Sequence, residues 1–304
     1  MDYDADGILD MVSGSYDPGD LYLFRGLGQG RYAKGTTLRD EAQVPLVHHP
    51  QELVKYEELD AAGKGNDDTA IRFRVASFGS WPAFVDWDAD GDLDVLIGAF
   101  DGTLWRRENL GTRKEPRYAK ESRRMDLGSE PLRVRCHACP VIADWDGDGR
   151  WDLLLGSGDG SVVLHRNEGE AKAPRFGAAI PLVSAKSSSK FATSFLAPGE
   201  APPMGARAQI AVTDFDRDGK LDLLVGDHSY QRRFREGSAE ELATAAALAG
   251  KQRALQERYR EMEADDPSRA ALKQELDAIK AELEKCLEPG EAKGASYVWL
   301  LRRR

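Results

Sequence analysis

Short apolar runs that end at glycine recur along the chain, and each follows an aspartate-rich segment. The clearest are LDVLIGAF from residue 93, WDLLLGSG from residue 151 and LDLLVGDH from residue 221. Apolar runs of this length, bounded by turn residues, are typical of buried β-strands. We therefore expect a chain built mainly from short strands.

Two stretches share a longer order of elements. Residues 82–119 align with residues 140–177, and both read as strand, aspartate-rich loop, strand, Asp-Gly turn, strand, Asn-x-Gly turn and a fourth strand opened by Pro-Arg-aromatic. The Asp-Gly pairs at 101–102 and 159–160 are strong hairpin signals. A repeated unit of four antiparallel strands is typical of a β-propeller blade, and the absence of intervening helices disfavours an α/β fold.

Four nine-residue segments fit the pattern D-x-D-x-D-G-x-x-D without a mismatch: DYDADGILD, DWDADGDLD, DWDGDGRWD and DFDRDGKLD, starting at residues 2, 86, 144 and 214. Carboxylates at positions 1, 3 and 5 of a tight loop converge, and a bound cation would relieve their repulsion. Oxygen ligands in this number favour calcium ahead of magnesium. The glycine at position 6 allows the positive φ that such a turn requires.

Position 7 of the loop varies, so we expect its backbone carbonyl to bind, and the Asp at position 9 to close the coordination shell. The candidate metal ligands, for up to four Ca²⁺ ions, are Asp2, Asp4, Asp6, Ile8 and Asp10; Asp86, Asp88, Asp90, Asp92 and Asp94; Asp144, Asp146, Asp148, Arg150 and Asp152; and Asp214, Asp216, Asp218, Lys220 and Asp222. An EF-hand is excluded, because that loop needs a Glu at position 12 and a following helix. Position 12 here is Ser13, Ile97, Leu155 and Val225.

The charge of the chain is concentrated in these loops. The formal net charge is −10, yet the four loops hold 17 Asp and three basic residues, so the remainder is slightly basic. The sign disfavours a nucleic-acid binder. No apolar run reaches the roughly 18–20 residues of a membrane span. The acidity therefore points to bound ions and says little about partners.

The loops and the repeated strand order resemble the FG-GAP/VCBS repeat proteins, whose calcium-loop blades also build the integrin α-chain propeller. The resemblance covers roughly residues 1–40, 82–182 and 205–230, with a last strand near 295–301. It implies structural calcium, export to a secreted, periplasmic or extracellular location, and binding or adhesion to a protein or glycan ligand. Related propellers also occur in carbohydrate-active enzymes (polysaccharide lyases or hydrolases), which is the alternative function.

Residues 238–288 interrupt the strand pattern. Ser238 and Glu241 form a capping box that opens one helix, and Asp266-Pro267 is expected to open a second that ends at Pro289-Gly290. Heptad-like apolar stripes predict an antiparallel, coiled-coil-like hairpin. The stripes are Leu248, Leu255, Tyr259 and Met262, then Leu272, Leu276, Ile279, Leu283 and Leu287.

The expected fold class is all-β: a β-propeller of four-stranded antiparallel blades, two complete and two partial, with an inserted α-helical hairpin. The expected domains are 1–236 for the blades, 237–290 for the hairpin and 291–304 for a last strand, the third of the fourth unit. The partial blades favour a fragment of a larger propeller, whose open edges would promote self-association. The alternative, in which the two partial blades complete each other, stays open.

Three remaining segments are interpreted without a catalytic role. Residues 40–70 are expected to be loop-rich and to include a solvated His48-His49 pair, 71–78 to be a strand, and 184–207 to be a long loop. Cys136 and Cys139 have C-x-x-C spacing but no second pair, which favours structural packing. Because no nucleophile, acid–base or phosphate motif stands out and the paired carboxylates belong to the loops, we expect a binding module that is not an enzyme.

Overall fold

The computed structural model describes residues 1–127, 130–170, 172–185, 193–263 and 265–303. They form several sheets, mostly antiparallel, and four helices, so the chain is mainly β. It divides into two compact units. The first comprises Met1–Ala185, Arg207–Gly226 and Val298–Arg304, and the second comprises Lys186–Ala206 and Asp227–Tyr297.

The first unit contains three sheets whose strands follow one another in the chain. The first sheet is β1 (Met11–Gly14), β2 (Leu21–Phe24) and β3 (Thr36–Thr37); the second is β4 (Ser80–Val85), β5 (Asp94–Ala99), β6 (Leu104–Arg107) and β7 (Arg123–Arg124); the third is β10 (Cys139–Ala143), β11 (Asp152–Gly156), β12 (Val162–His165) and β13 (Ile180–Val183). A small sheet of β8 (Asp126–Leu127) and β9 (Glu130–Pro131) separates the last two in sequence. The two complete four-stranded units expected from the aligned stretches are confirmed.

The fourth aspartate-rich loop connects β15 (Ala206–Thr213) to β16 (Asp222–Arg233), and β18 (Val298–Leu301) pairs antiparallel with Leu223–Gly226. The strand register is the same in every repeat. The residue that follows the position-9 aspartate always pairs with the last residue of the next strand in the sheet. The four pairs are Met11 with Phe24, Val95 with Arg107, Leu153 with His165, and Leu223 with Leu301. The C-terminal strand is therefore the third strand of the fourth repeat, as the sequence predicts.

Buried side chains on both faces of the central strands explain the uninterrupted apolar runs. Along β5, Val95 and Ile97 join one hydrophobic cluster, whereas Leu96 joins another. The first cluster includes Leu21 and Leu23 of β2, and the second includes Leu104, Leu153 and Leu155. Successive residues of a strand point to opposite faces, so each sheet contributes to the packing on both sides.

The Asn-x-Gly turns are closed by the asparagine side chain. Asn109 Oδ1 accepts hydrogen bonds from the N–H groups of Gly111 and Arg117, both at 2.9 Å. Tyr118 then forms a bridge with Asn109, and β7 begins only at Arg123. The Pro-Arg-aromatic motif thus belongs to the turn, and the fourth strand starts later than predicted.

Residues 40–78 differ from the sequence prediction. Two helices, α1 (Pro50–Ala61) and α2 (Asp68–Ala76), replace the loop-rich segment and the strand expected at 71–78. Leu53 of α1 and Ala70 of α2 are buried. The alternation of Ile71, Phe73 and Val75 imitates a strand, but tertiary packing of Ala70 favours the helix.

His48 is buried, contrary to the solvated pair expected from the sequence. Its ring is 1% exposed, and Nε2 lies 2.9 Å from the carbonyl oxygen of Ala76 at the end of α2. Burial lowers the pKa of His48 to about 3, so the ring is neutral at physiological pH. This histidine fastens α2 to the segment that precedes α1.

The second unit contains the helical insertion, α3 (Ala239–Glu261) and α4 (Arg269–Cys286), together with β14 (Thr193–Leu196) and β17 (Lys293–Ala295). β14 runs parallel to Tyr230–Arg233, and β17 runs antiparallel to Ser229–Gln231. The long loop expected at 184–207 is therefore interrupted by a strand, and its residues 186–192 lie outside the described residues.

The two predicted helices of the insertion are confirmed, with the capping box of Ser238 and Glu241 formed in both directions. Leu272, Leu276 and Leu283 of α4 are buried, as the stripe predicts. In α3 the buried residues are Ala245 and Ala249, because small side chains allow close approach to α4. The second helix begins at Arg269, after Ser268, and not at Pro267. None of the helices in the described part of the chain is long and apolar enough to cross a membrane.

Candidate calcium sites

The first aspartate of each loop holds the turn in shape. One oxygen of its carboxylate accepts the N–H of position 5, and the other oxygen accepts the N–H of position 6, all at 3.0–3.1 Å. The four aspartates are Asp2, Asp86, Asp144 and Asp214. The N–H of position 7 donates to the position-5 carboxylate at 2.8–3.0 Å in Ile8, Asp92, Arg150 and Lys220. The same turn is therefore built four times.

Two positions of each loop adopt a positive φ. The glycines at position 6 have φ between +84° and +96°, as the sequence predicts. Position 4 is also left-handed, although it is occupied by Ala5, Ala89, Gly147 and Arg217. Non-glycine residues are uncommon in this region. Position 4 carries no common residue type, so the sequence holds no signal for this second constraint.

Carboxylate oxygens converge in every loop. Three carboxylates can each place one oxygen within 4.8 Å of the others in four groups: Asp2, Asp4 and Asp6; Asp86, Asp88 and Asp90; Asp144, Asp146 and Asp152; and Asp214, Asp216 and Asp218. The third group takes Asp152 in place of Asp148, whose carboxylate pairs with Arg150. The structure thus brings together positions 1, 3 and 5 in three loops and positions 1, 3 and 9 in the other.

The aspartate at position 9 joins the loop to the third strand. Asp152 Oδ2 accepts the N–H of Trp145 at 3.1 Å, and Oδ1 accepts the N–H of Asn167 at 2.8 Å. Asp10 does the same with Tyr3 and Gly26 at 2.8 and 2.7 Å. Each carboxylate therefore fastens position 2 of its own loop to the second residue after the strand that pairs with the one following the loop, β2 for Asp10 and β12 for Asp152.

The fourth repeat uses this position in the same way, and the second repeat keeps half of the arrangement. Asp94 accepts the N–H of Asn109 at 2.7 Å, but its second oxygen binds Arg106 in place of the position-2 N–H. Asp222 accepts the N–H of Phe215 at 3.1 Å and that of Arg303 at 2.9 Å. All four position-9 aspartates are at least 95% buried. Sequence reasoning assigned this position to metal coordination alone and missed its role as a clamp.

Features of the first three loops fit a calcium ion. Asp4 Oδ1 and Asp146 Oδ1 are buried and accept no hydrogen bond from any described residue. In the second loop, burial and then the repulsion of Asp90, Asp94 and the other loop carboxylates raise the pKa of Asp92 to about 6. Unsatisfied oxygens and mutually repelling carboxylates are stabilised by a hard cation. These residues could hold calcium, with Asp4 and Asp146 offering ready oxygen ligands.

An arginine faces the position-3 carboxylate in each repeat. Arg106 lies 3.6 Å from Asp88, Arg166 lies 3.4 Å from Asp146, and Arg302 lies 3.6 Å from Asp216. Arg25 pairs with Asp4 in the first repeat. Three of these arginines, Arg25, Arg166 and Arg302, directly precede the residue whose N–H group the position-9 aspartate accepts. This spacing is a sequence signal for the pairing. Their positive charge opposes the binding of a metal ion at the same carboxylate.

The four loops therefore have different electrostatics. The second has a fifth carboxylate, Asp92, whereas the third has Arg150 on Asp148 and Arg166 on Asp146. We predict that Arg166→Gln tightens calcium binding at the third loop about threefold, because exposed ion pairs contribute up to about 1 kcal/mol. The shift of the Gly149 amide in a site-resolved NMR titration measures this affinity.

Arg31→Gln is the matched control for that prediction, because Arg31 is exposed and has the same charge. If both variants change the affinity of the third loop equally, the effect comes from net charge and the competition between Arg166 and calcium is refuted.

Cys139 of the C-x-x-C pair is packed in the protein interior. Cys139 is buried on β10, and its thiol donates to Gln209 Oε1 at 3.5 Å. Burial raises the pKa of Cys139 to about 11, which keeps it a thiol. Cys136 lies in the bend before β10.

Comparison with known proteins supports the repeat. A family model described as an FG-GAP-like repeat matches residues 144–225, from the start of the third loop to the fourth residue of β16. No curated protein sequence matches the chain. The matched segment contains the third and fourth loops with their position-9 aspartates, and the resemblance stated from the sequence is confirmed.

Proposed function

We propose, from the match of residues 144–225 to an FG-GAP-like repeat, that this chain is a calcium-binding β-propeller module in which the ions are structural. The observation that carries the proposal is the fourfold recurrence of one loop, with converging carboxylates on an identical strand register. In this proposal the four strand groups are propeller blades, two complete and two partial. Each ion would neutralise a carboxylate cluster at a turn between two strands.

Calcium is favoured over magnesium by the ligand set. Carboxylates with backbone oxygens in a loop suit the larger and more variable shell of calcium, whereas magnesium requires a near-ideal octahedron and keeps several waters. A bound ion supplies positive charge at the convergence point of the carboxylates. The chain supplies the rest, because position 1 fixes the turn and position 9 fastens it to the third strand.

We propose a location outside the cytosol and a role in binding or adhesion to a protein or glycan. Support comes from the resemblance to exported repeat proteins and from mass action. Millimolar calcium, as found outside cells, would saturate sites of moderate affinity, whereas submicromolar calcium would not. We favour binding over catalysis, because the paired carboxylates of the loops are engaged by backbone N–H groups and arginines.

Calcium stoichiometry tests the proposal. Equilibrium dialysis in millimolar calcium should give up to four ions per chain. Asp88→Asn should remove one ion, because Asp88 contributes a converging oxygen to the second group while the turn itself is held by Asp86.

Asp277→Asn on the exposed face of α4 is the matched control and should leave the count unchanged. A wild-type count of zero, or equal counts in Asp88→Asn and the wild type, would refute calcium binding at these loops.

A further inference from the structure

A groove between the second and third sheets concentrates arginine side chains. It has a volume of about 300 Å³ and is lined by Arg106, Arg123, Arg124 and Arg175, and among its described lining residues Asp126 alone is acidic. Arg106 lies on β6, the next two form β7, and Arg175 lies in the turn after β12. In a chain of net charge −10, this is a local reversal of sign.

Most of these guanidinium groups keep donors available. Arg123 lies 3.8 Å from Glu108 and its side chain is 71% exposed. Arg124 pairs with Asp126 at 3.0 Å on the surface. Such exposed pairs contribute little and exchange readily with a competing anion. Arg175 donates to the carbonyl oxygen of Glu168 at 3.4 Å, which leaves its remaining N–H groups for a ligand.

Arg106 has a different role. It is tied to Asp94 at 2.6 Å and its guanidinium lies 5.0 Å from the centre of the Trp87 ring. It therefore acts as a fixed wall of the groove, while the other three arginines supply adjustable donors.

Aromatic rings form the apolar part of the groove. The centroids of Trp87 and Phe176 lie 6.1 Å apart, and both rings are partly exposed. Flat apolar surfaces with a few charged groups at their edge are typical of small-ligand sites. The flat CH face of a sugar ring fits against an indole or phenyl ring, and an arginine fork binds a carboxylate or sulfate with two hydrogen bonds.

We propose that this groove binds an acidic oligosaccharide, through packing of a sugar ring against Phe176 and the exposed edge of Trp87 and through ion pairs with Arg123, Arg124 and Arg175. The inference rests on the proposed glycan-binding role and names its ligand class. The volume of the groove suits one or two sugar units. A long nucleic acid is disfavoured, because its dense phosphates would also meet the carboxylates of the neighbouring second loop, which starts at Asp86.

The test measures tryptophan fluorescence of the full chain at fixed free calcium. The probes are a sulfated dextran oligosaccharide, a glucuronate-containing hyaluronan oligosaccharide and a neutral dextran oligosaccharide. We expect at least one anionic probe to bind more than tenfold tighter than the neutral one, and the two anionic arms distinguish sulfate from carboxylate. Added salt should weaken the binding.

Arg123→Ala and Arg175→Ala should each weaken binding about tenfold, the effect of one charged hydrogen-bonding group. Arg31→Ala removes the same charge elsewhere and should bind normally. The inference is overturned if neither anionic sugar binds, if the neutral sugar binds equally well, if a pentaglutamate peptide binds more tightly than the sugars, or if the three variants behave alike.

The calcium count of each variant, measured in parallel, separates this inference from the proposed function. Arginine-dependent sugar binding with no bound calcium would refute the calcium proposal and support sugar binding in the groove. Four bound ions with no sugar binding would refute sugar binding in the groove and support the calcium proposal.

Discussion

Saturating calcium is expected to raise the main thermal unfolding temperature by more than about 10 °C over a sample in chelator. A ligand present at 100 times its dissociation constant stabilises the folded state by about 2.7 kcal/mol per site. Several such sites act together in the first unit, and each kcal/mol shifts the melting temperature of a unit this size by about 2–4 °C. Differential scanning calorimetry in millimolar calcium and in chelator measures the shift.

Two controls identify the source of this shift. Combining Asp88→Asn with Asp146→Asn, which removes one converging carboxylate from each of two groups, should remove about half of it. Asp277→Asn on α4 should retain all of it. An identical melting temperature in calcium and chelator would show that calcium has no structural role in this protein.

Loss of the position-9 clamp should destabilise the protein even when no metal is present. Asp152 is 1% exposed and accepts two backbone N–H groups, from Trp145 and Asn167. Asp152→Ala leaves both donors buried without a partner, and we expect the free energy of unfolding to fall by about 2–4 kcal/mol. Urea unfolding in chelator measures the loss.

Asp146→Ala is the matched comparison in the same loop. Its Oδ1 accepts no hydrogen bond from the described residues, and its ion pair with Arg166 is partly exposed, since the Arg166 side chain is 55% exposed. Its loss in chelator should therefore stay below about 1 kcal/mol, while its loss in calcium should be larger. If Asp146→Ala and Asp152→Ala destabilise the chelated protein equally, position 9 is not a clamp.

The parts of the fold that the sequence predicted are those determined by local chemistry. The spacing of aspartates and the glycine at position 6 define a turn within nine residues, and the apolar runs that follow are buried on both faces. The capping box of Ser238 and Glu241 likewise lies within one helical turn. Such signals need no knowledge of distant residues.

The parts that were missed depend on distant partners. α1 and α2 follow His48-His49-Pro50 and the polar segment 63–68, which look like loop, and His48 is buried only because α2 returns to cover it. Arg107 is fully buried through its ion pair with Asp40, 67 positions earlier in the chain. The position-9 clamp also needed a partner that lies beyond a hairpin.

The late return of the chain to the fourth repeat sets the order in which the repeats can fold. Leu153 pairs with His165, 12 positions away, whereas Leu223 pairs with Leu301, 78 positions away. Closing the longer loop costs about 1.7 kcal/mol more in chain entropy. The helical insertion offsets much of this cost, because Phe234 bridges to Leu287 at its base and shortens the open chain. The insertion should therefore fold before β18 docks, and the fourth repeat should be the last to form.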